Sequence, residues 1–474
     1  MKSGWEMVVG LEVHTELRTA TKLFCSCANE FGAAPNTHVC PVCLGLPGSL
    51  PVLNERAVEM AMSIGFALRC TIAPSTFHRK NYFYPDMPKN FQISQYDLPI
   101  NSSGYLDLPD GSHVGIERAH MEEDTGKSTH LGASGRLHGA ERSLVDYNRA
   151  GVPLVEIVSA PDIRSAAQAR LYVAELRRVL IATGASDGRM EEGSLRVDAN
   201  VSVRRPGAPF GTRCEIKNLN SLRSLQRAID YEADRQIELI EDGGTVRQES
   251  RHWDESTGVT STMRVKEEAE DYRYFREPDL VDLAPDAAWR DRVAAALPPM
   301  PGVRRTALLQ HLVDPTDAQR EAVEVVLDLD LDRYVHGAAE AGLDAATALA
   351  RTANEVAGAE DGADRLSVEA FIGTLRLEAS GQLSATQAKT VLADLLAEGG
   401  APEEVVARRG FTQLASDALD GIVDEVIAAN ADEWSRYRDG DDKLAQFFIG
   451  QVMARTRGQA NGKAVVEILR SRRG

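Results

Sequence analysis

The chain has 474 residues, 43% of them hydrophobic and 26% charged, values typical of folded globular proteins, so disorder and fibrous repeats are excluded. At roughly 100–200 residues per domain, this length predicts about two to four domains. The net charge of −18 argues against a protein that coats nucleic acid by bulk electrostatics, but it allows a local RNA contact. We find neither a signal peptide nor an apolar run of the roughly 20 residues that span a bilayer, which predicts a cytoplasmic protein without membrane segments.

Two predicted strands in the N-terminal part carry polar residues at alternate positions. Residues 10–17 alternate between apolar side chains and a polar face that carries Glu12, His14 and Glu16. Residues 195–203 alternate in the same way, with a polar face that carries Arg196, Asp198 and Asn200. Because side chains two positions apart lie on one face of a strand, each set is gathered on one side of its sheet. We expect these faces to hold functional groups.

Helix signals and a proline cluster divide the chain. Helices are expected over residues 55–68, 165–183 and 221–241. The proline-rich segment 297–302 ends the mixed region, and nearly everything after it has helical periodicity. The pattern predicts an α+β protein whose main domain boundary lies at this proline cluster, with a mixed region over residues 1–295 before it.

Four of the six cysteines follow the spacing Cys-x-Cys-x12-Cys-x-x-Cys, and they are Cys25, Cys27, Cys40 and Cys43. Two short chelating pairs on separate turns suit tetrahedral Zn²⁺, and four thiolate ligands leave no open position for catalysis. The spacing therefore predicts a structural zinc site. Four unrelated buried cysteines are the alternative. The isolated Cys70 and Cys214 are expected to be core residues.

An acid-rich segment, residues 122–129, first suggests a phosphate-binding P-loop because it contains Gly126-Lys127-Ser128. The match fails, since the first glycine of that motif would stand at position 121, which is methionine. Glu122, Glu123 and Asp124 of this segment belong to a larger set of acids that also includes Glu12, Glu191, Glu192, Asp198 and Glu215, with His14 beside them. Clustered carboxylates favour Mg²⁺ or Mn²⁺, which bridge phosphate oxygens. This predicts a nucleotide-phosphate site, and solvated strand residues are the alternative.

Three segments have a composition typical of nucleic-acid-binding segments. Residues 81–90 and 264–275 interleave aromatic with basic residues, as loops that stack nucleobases do, although the second is equally typical of an ordinary hairpin. The last 20 residues hold one acid, Glu467, against six basic residues, namely Arg455, Arg457, Lys463, Arg470, Arg472 and Arg473. Such an end suits a phosphate backbone. A basic helix end that caps its own C-terminus is the alternative.

Several longer and distinct sequence motifs are distributed along nearly the whole chain. They are Gly10-Leu11-Glu12-Val13-His14 and residues 40–48, 79–90, 120–130, 146–161, 190–203, 215–220 and 271–280. Together they resemble the B-subunit family of bacterial-type tRNA-dependent amidotransferases. Residues 450–453 and 458–461 are also similar to the tail that this family shares with YqeY proteins. The resemblance implies a three-part chain, with a catalytic cradle domain over residues 1–295, a helical domain over 296–404 and a YqeY-like tail over 405–474.

The resemblance implies an ATP-dependent ligase that amidates misacylated tRNA. ATP phosphorylates the side-chain carboxylate of Glu-tRNA(Gln) or Asp-tRNA(Asn) with the help of Mg²⁺, and ammonia then displaces the phosphate. An amidase-type A subunit would release this ammonia from glutamine, because the sequence lacks a convincing nucleophile constellation for glutamine hydrolysis. A small C subunit would complete a heterotrimer.

The resemblance also implies roles for individual residues. Its catalytic residues are Glu12, His14, Glu122, Glu123, Asp198 and Glu215. Magnesium is assigned to His14, Glu123 and Glu215, and zinc to the four spaced cysteines. Contacts with ATP are assigned to Lys127, Ser128, Arg196 and Lys217. We expect the tail, from about residue 405, to bind the body of the tRNA.

Two other classes of function remain open. A stand-alone metal-dependent hydrolase would explain the acids but not the length of the match. A non-enzymatic, zinc-bearing RNA-binding protein would explain the cysteines and the basic tail, but it leaves Glu12, His14 and Glu215 without a role.

Overall fold

The structure, a computed structural model, describes residues 2–131, 140–265, 272–359, 362–411, 416–456, 460 and 462–473. The chain divides into two units, Met1–Gly302 and Val303–Gly474. Strands and helices mix in the first unit, whereas the regular elements described in the second are all helical, which confirms the predicted α+β class. Within the described ranges, no helix is both long enough and apolar enough to cross a membrane.

The first unit is built on one large sheet. Its described strands are β1 (Glu6–Glu16), β2 (Thr71–Ile72), β3 (His78–Asn81), β4 (Phe91–Ser94), β5 (Asn101–Asp107), β6 (His113–Glu123), β9 (Pro153–Ser159), β10 (Leu195–Arg204), β11 (Cys214–Leu219), β12 (Glu249–Asp254), β13 (Val259–Val265) and β14 (Phe275–Arg276). A separate ribbon pairs β7 (Lys127–Leu131) with β8 (Arg142–Asp146). The main path of the sheet runs β13-β12-β11-β10-β1-β9-β6-β4-β3-β14, and β5 pairs with β2 and β6. Neighbouring strands are antiparallel except for the parallel pair β11 and β12.

Strand β1 lies in the middle of this sheet, between β9 and β10. Its burial alternates as predicted, with Leu11 and Val13 buried and their neighbours Gly10, Glu12 and His14 partly exposed. In the pairing register, Glu12 stands opposite Asp198 of β10, and His14 stands opposite Glu156 of β9. The polar faces predicted for β1 and β10 are therefore adjacent.

The helices of the first unit cover the other face of the sheet. They are α1 (Glu55–Ala67), α2 (Ala166–Ala182), α3 (Leu222–Glu241) and α4 (Ala287–Ala295). Asn54, Ser165 and Ser221 cap the first three, and these helices confirm the predicted spans to within one residue at each end. Their apolar side chains share one buried cluster with Leu11 and Val13. At about 1.5–3 kcal/mol for each buried aliphatic side chain, this packing fixes which face of the sheet stays open.

The second unit consists of short helices. They are α5 (Pro301–Gln310), α6 (Asp317–Asp328), α7 (Asp332–Glu340), α8 (Ala345–Arg351) with a π-helical turn (Thr352–Val356), α9 (Val368–Ala379), α10 (Ala385–Glu398), α11 (Pro402–Arg409), α12 (Ser416–Ala429), α13 (Ala431–Arg438), α14 (Leu444–Arg455) and α15 (Gly462–Arg473). Buried apolar residues form one cluster over residues 308–405 and another over 419–469. The predicted three-part division stays a prediction.

Candidate divalent-cation site

The open face of the sheet gathers ionisable groups around His14. The Nδ1 atom of His14 lies 3.4 Å from Glu122 Oε1 and 4.0 Å from Glu156 Oε2. Burial alone would lower the pKa of His14, but the hydrogen bond with Glu122 and the charges of Glu156, Glu122 and Asp198 raise it to about 9. The surrounding carboxylates therefore favour a positive charge at this point of the face.

His14 belongs to two groups of three side chains whose ligand atoms lie within 4.8 Å of one another. One group is Glu12, His14 and Asp198, and the other is His14, Glu122 and Glu156. Carboxylate oxygens with a single imidazole are ligands that suit Mg²⁺ or Mn²⁺. The residues present thus fit a divalent cation.

Asn200 of β10 gives a second indication of a cation. Its Nδ2 donates a hydrogen bond of 2.9 Å to Glu12 Oε1, and its Oδ1 takes no part in that hydrogen bond. This Oδ1 is buried and has no hydrogen-bond partner among the described residues. Buried acceptors without a donor are rare, and one next to a carboxylate is explained by a positive ion that both oxygens contact.

Lys217 extends the charged face onto β11. Its Nζ lies 2.6 Å from Asp198 Oδ2 and 3.3 Å from Glu215 Oε1. Although burial disfavours the ammonium, the charges of Asp198 and Glu215 raise the pKa of Lys217. Glu215 is buried, and its Oε2 accepts a 2.6 Å hydrogen bond from Ser250. Glu215 is thus placed beside Lys217 and Asp198, outside both groups that contain His14.

Glu123 lies on the opposite face of β6 from Glu122. Its two carboxylate oxygens lie 2.5 and 2.6 Å from Lys89 Nζ, and Oε1 also accepts a 2.9 Å hydrogen bond from the backbone N–H of Ile93. Consecutive side chains of a strand point to opposite faces. The predicted magnesium site requires Glu123 and His14 to lie together. The structure does not bring Glu123 to His14.

The four residues predicted to contact ATP are spread over the first unit. Lys127 is exposed and Ser128 half-buried in the ribbon of β7 and β8. Arg196 Nη2 donates a 2.6 Å hydrogen bond to Asp124 Oδ2 at one end of the polar face. Lys217 lies toward the other end. The structure does not gather them at one cavity.

Two further predicted acids are surface residues. Glu191 and Glu192 are exposed in the turn before β10, and Glu192 forms a 2.7 Å ion pair with Arg189. The sequence pattern predicts that they lie in a strand-like segment, but the strand begins only at Leu195. They are not part of the site around His14.

Sequence reasoning missed several residues of the face, chiefly Glu156, His120 and Lys80. His120 Nε2 lies 3.6 Å from Glu156 Oε2. Burial would raise the pKa of Glu156, but the charges of His120, His14 and Lys80 hold it at about 2. One signal was available, because Glu156 is the single charged residue in the apolar strand β9.

The four spaced cysteines come together as predicted, with their Sγ atoms within 4.8 Å of one another. The Cys40 backbone N–H points to Cys43 Sγ at 3.1 Å, and hydrogen bonds, first that from Cys25, lower the pKa of the Cys43 thiol. Four sulfur atoms at this spacing suit tetrahedral Zn²⁺. Cys70 and Cys214 lie outside this cluster.

Two cavities lie at the two ends of the polar face. The first, of about 630 Å³, has Glu16, Arg18 and Lys127 in its wall, and we call it the Glu16 cavity. The second, of about 430 Å³, has Glu12 and Asn200 in its wall, and we call it the Glu12 cavity. His14 lies on β1 between Glu12 and Glu16, so both ligand groups stand between the cavities.

The fold and this site together define an α+β protein with a candidate divalent-cation centre between two cavities. A family model described as "GatB/GatE catalytic domain" matches residues 7–291, and one described as "GatB domain" matches residues 333–472. A Frankia casuarinae protein that is named as the B subunit of an aspartyl/glutamyl-tRNA(Asn/Gln) amidotransferase is 51% identical, over 99% of this chain and 96% of its own. Proteins of the same name from Carboxydothermus hydrogenoformans and Moorella thermoacetica are each 48% identical, over 99% of this chain and 98% and 99% of their own. The chain belongs to the family of tRNA-dependent amidotransferase B subunits.

Proposed function

We propose that this chain is the subunit that forms the side-chain amide on misacylated Glu-tRNA(Gln), Asp-tRNA(Asn) or both. The observation that carries the proposal is the meeting of two cation-ligand groups at His14, between two cavities, in a chain of this family. Such a face suits a reaction that must neutralise phosphate charge while two substrates approach from different sides.

The proposed reaction has two steps. A carboxylate oxygen of the aminoacyl side chain takes the γ-phosphoryl group of ATP, and ADP leaves with the electrons of the broken P–O bond. The nitrogen of ammonia then attacks the carboxyl carbon, phosphate leaves with the C–O electron pair, and ammonia loses a proton. A bound Mg²⁺ supplies charge neutralisation during the first step. Glu12, Asp198 and Asn200, with His14, Glu122 and Glu156, would hold it.

ATP fits the Glu12 cavity. Its wall contains Glu12 and Asn200, so a phosphate chain bound here touches the proposed metal ligands. The same wall carries Phe210, which is 58% exposed and offers a ring for an adenine, and Arg213, whose side chain has no partner among the described residues. Lys217, held beside Asp198, would place an ammonium at the phosphates.

Zinc in the cysteine cluster is proposed to be structural. The loop around the cluster is tied to the segment after β8, because the backbone N–H of His38 donates to Asn148 Oδ1 at 2.8 Å. Lys22 Nζ joins the same two segments, since it donates to the carbonyls of His38 at 2.8 Å and of Tyr147 at 3.2 Å. Four thiolates leave no ligand position for a substrate. The metal would hold this loop in place.

The ammonia is proposed to come from an amidase-type A subunit, with a small C subunit completing the complex. Co-expression of the three subunits gives the direct test. The complex, with ATP and glutamine, should convert Glu-tRNA(Gln) or Asp-tRNA(Asn) to the amide, and each charged tRNA is assayed separately by chromatography of the released amino acid. ATP hydrolysis that does not need charged tRNA would favour the hydrolase alternative. Tight RNA binding without any amide would favour the RNA-binding alternative.

A further inference from the structure

We propose that the Glu16 cavity receives the 3′-terminal aminoacyl nucleotide of the charged tRNA. This inference rests on the proposed function and adds the place where its second substrate binds. A charged 3′ end combines a phosphate, a nucleobase and an aminoacyl group with a free α-ammonium. The cavity, at about 630 Å³, falls within the range of small-molecule sites and contains a complementary group for each part.

Unpaired cations stand in the wall of the cavity. The side chains of Arg18 and Lys127 are exposed, and in the described part of the chain neither makes a hydrogen bond or an ion pair. Arg149, the third cation, is already occupied, since its guanidinium donates 3.0 Å hydrogen bonds to the carbonyls of Thr125 and Gly126. Two cations without partners are available for the phosphates of a single-stranded end.

An exposed ring and a surplus of acids complete the wall. Phe31 is 76% exposed, an unusual position for a large apolar side chain and one that suits stacking on a terminal base. Five carboxylates line the cavity against three cationic side chains, and the five are Glu16, Glu30, Asp146, Asp187 and Glu192. Glu192 is already paired with Arg189, so four carboxylates remain against the three cations. This excess of acid favours a ligand that carries an ammonium group as well as phosphate.

The position of the cavity separates it from the ATP site. None of the five residues in the two cation-ligand groups lines the Glu16 cavity, whereas Glu12 lines the other one. A nucleoside triphosphate needs the cation at its phosphates. Glu16 is two residues from His14 on the same face of β1, a separation of about 7 Å. An aspartyl or glutamyl side chain anchored here can therefore point its carboxylate toward the cation centre.

The test compares Arg18→Ala and Lys127→Ala with Arg320→Ala. Arg320 is an exposed arginine of α6 whose side chain has no partner among the described residues. All are made in the complex with the A and C subunits. We expect each cavity variant to raise the KM for charged tRNA about tenfold and to leave the KM for ATP within twofold. Each should also reduce the slope of log binding constant against log salt by about 0.7, the value for one single-stranded phosphate contact. Arg320→Ala should change neither quantity.

A small probe isolates the cavity from the rest of the tRNA. 3′-Glutamylamino-3′-deoxyadenosine 5′-phosphate, a stable amide, should compete with charged tRNA, and its analogue without the α-amino group should compete about tenfold more weakly. A rise in the KM for ATP instead of tRNA in the cavity variants, or equal competition by both probes, overturns the inference. A wild-type complex that forms no amide at all overturns the proposed function itself.

Discussion

The polar face of the first unit and the C-terminal helices of the second unit carry their charges in different ways. In the first unit, Glu122 is only 5% exposed and belongs to one of the two cation-ligand groups. In the second unit, Arg472 pairs with Asp420 and Asp424 at 2.9 Å, and these side chains are 34–53% exposed. Burying a charge is costly unless it is neutralised, whereas an exposed pair contributes only about 0–1 kcal/mol. The buried set therefore points to a bound cation, and the exposed pairs point to no ligand.

The strongest test of this comparison removes His14, the residue that both ligand groups share. His14→Ala should lower amide formation by the complex at least about 100-fold, because both groups lose a ligand at once. The glutaminase activity of the A subunit should stay near its original value. The matched control is His113→Ala, an exposed histidine on β6. Amidation by His14→Ala at the wild-type rate would place the centre elsewhere.

The next largest effect is expected at Glu123, where the cost should appear in stability. Glu123→Gln leaves the Lys89 ammonium, whose side chain is 7% exposed, without its carboxylate, and we expect a loss of about 3–5 kcal/mol, seen as a lower melting temperature. The double variant Glu123→Met, Lys89→Met should recover most of that loss. Glu122→Gln on the other face is the control, and it should change the Mg²⁺ dependence more than the melting temperature. Equal melting temperatures for Glu123→Gln and the parent protein would contradict this account.

A structural metal is expected to have a more local effect. The purified protein should contain about one Zn²⁺ per chain with four sulfur ligands near 2.3 Å, measured by metal analysis and X-ray absorption. Cys27→Ser should lose the metal and lower stability, since the loop is then tied only by hydrogen bonds such as that from His38 to Asn148. Cys70→Ser, outside the cluster, should keep it. A metal-free protein with four reactive thiols would refute the site.

The smallest effects are expected for single substitutions in the basic tail, where the described arginines differ in pairing. Arg470 is exposed and has no partner among the described residues, whereas Arg472 is held by two acids. If the tail binds the duplex body of tRNA, Arg470→Ala should reduce the salt slope of binding by about 0.9, and Arg472→Ala should reduce it less. Deleting residues 405–474 should weaken tRNA binding strongly. An unchanged affinity across a salt titration would make the basic residues ordinary surface.

Parts of the predicted nucleic-acid-binding segments and of the tail motif lie outside the described residues. Lys266 and Asp271 of the segment 264–275, Arg457, and three of the four residues of the motif 458–461 are not described, and neither is the side chain of Lys463. In the loop 81–90, the Tyr82 and Tyr84 rings stack at 4.6 Å. Nucleobase binding by these segments stays a prediction.

Local sequence patterns were sufficient to predict many of the secondary-structure elements and the family. The alternation of β1 and β10, the helices α1 to α3 and the clustering of the four cysteines all depend on residues close in sequence, so each could be predicted from the sequence and was confirmed. The zinc ion in that cluster stays a prediction. The long motifs were likewise enough to indicate the family. These features follow from the periods of strands and helices and from ligand spacing, which do not depend on what packs against them.

The pairing of strands determined which side chains share the face of His14, which local patterns could not predict. Glu122 and Glu123 are neighbours in sequence and both are buried, so burial and alternation alone cannot tell which of them faces His14. The register of β6 on β9 settles it, since it sets His120 opposite Glu156 and so places Glu122 on the same face. The two cavities likewise arise between segments far apart in the chain. A shift of one residue in a strand exchanges its faces, and only the packed apolar core of the tertiary structure fixes that register.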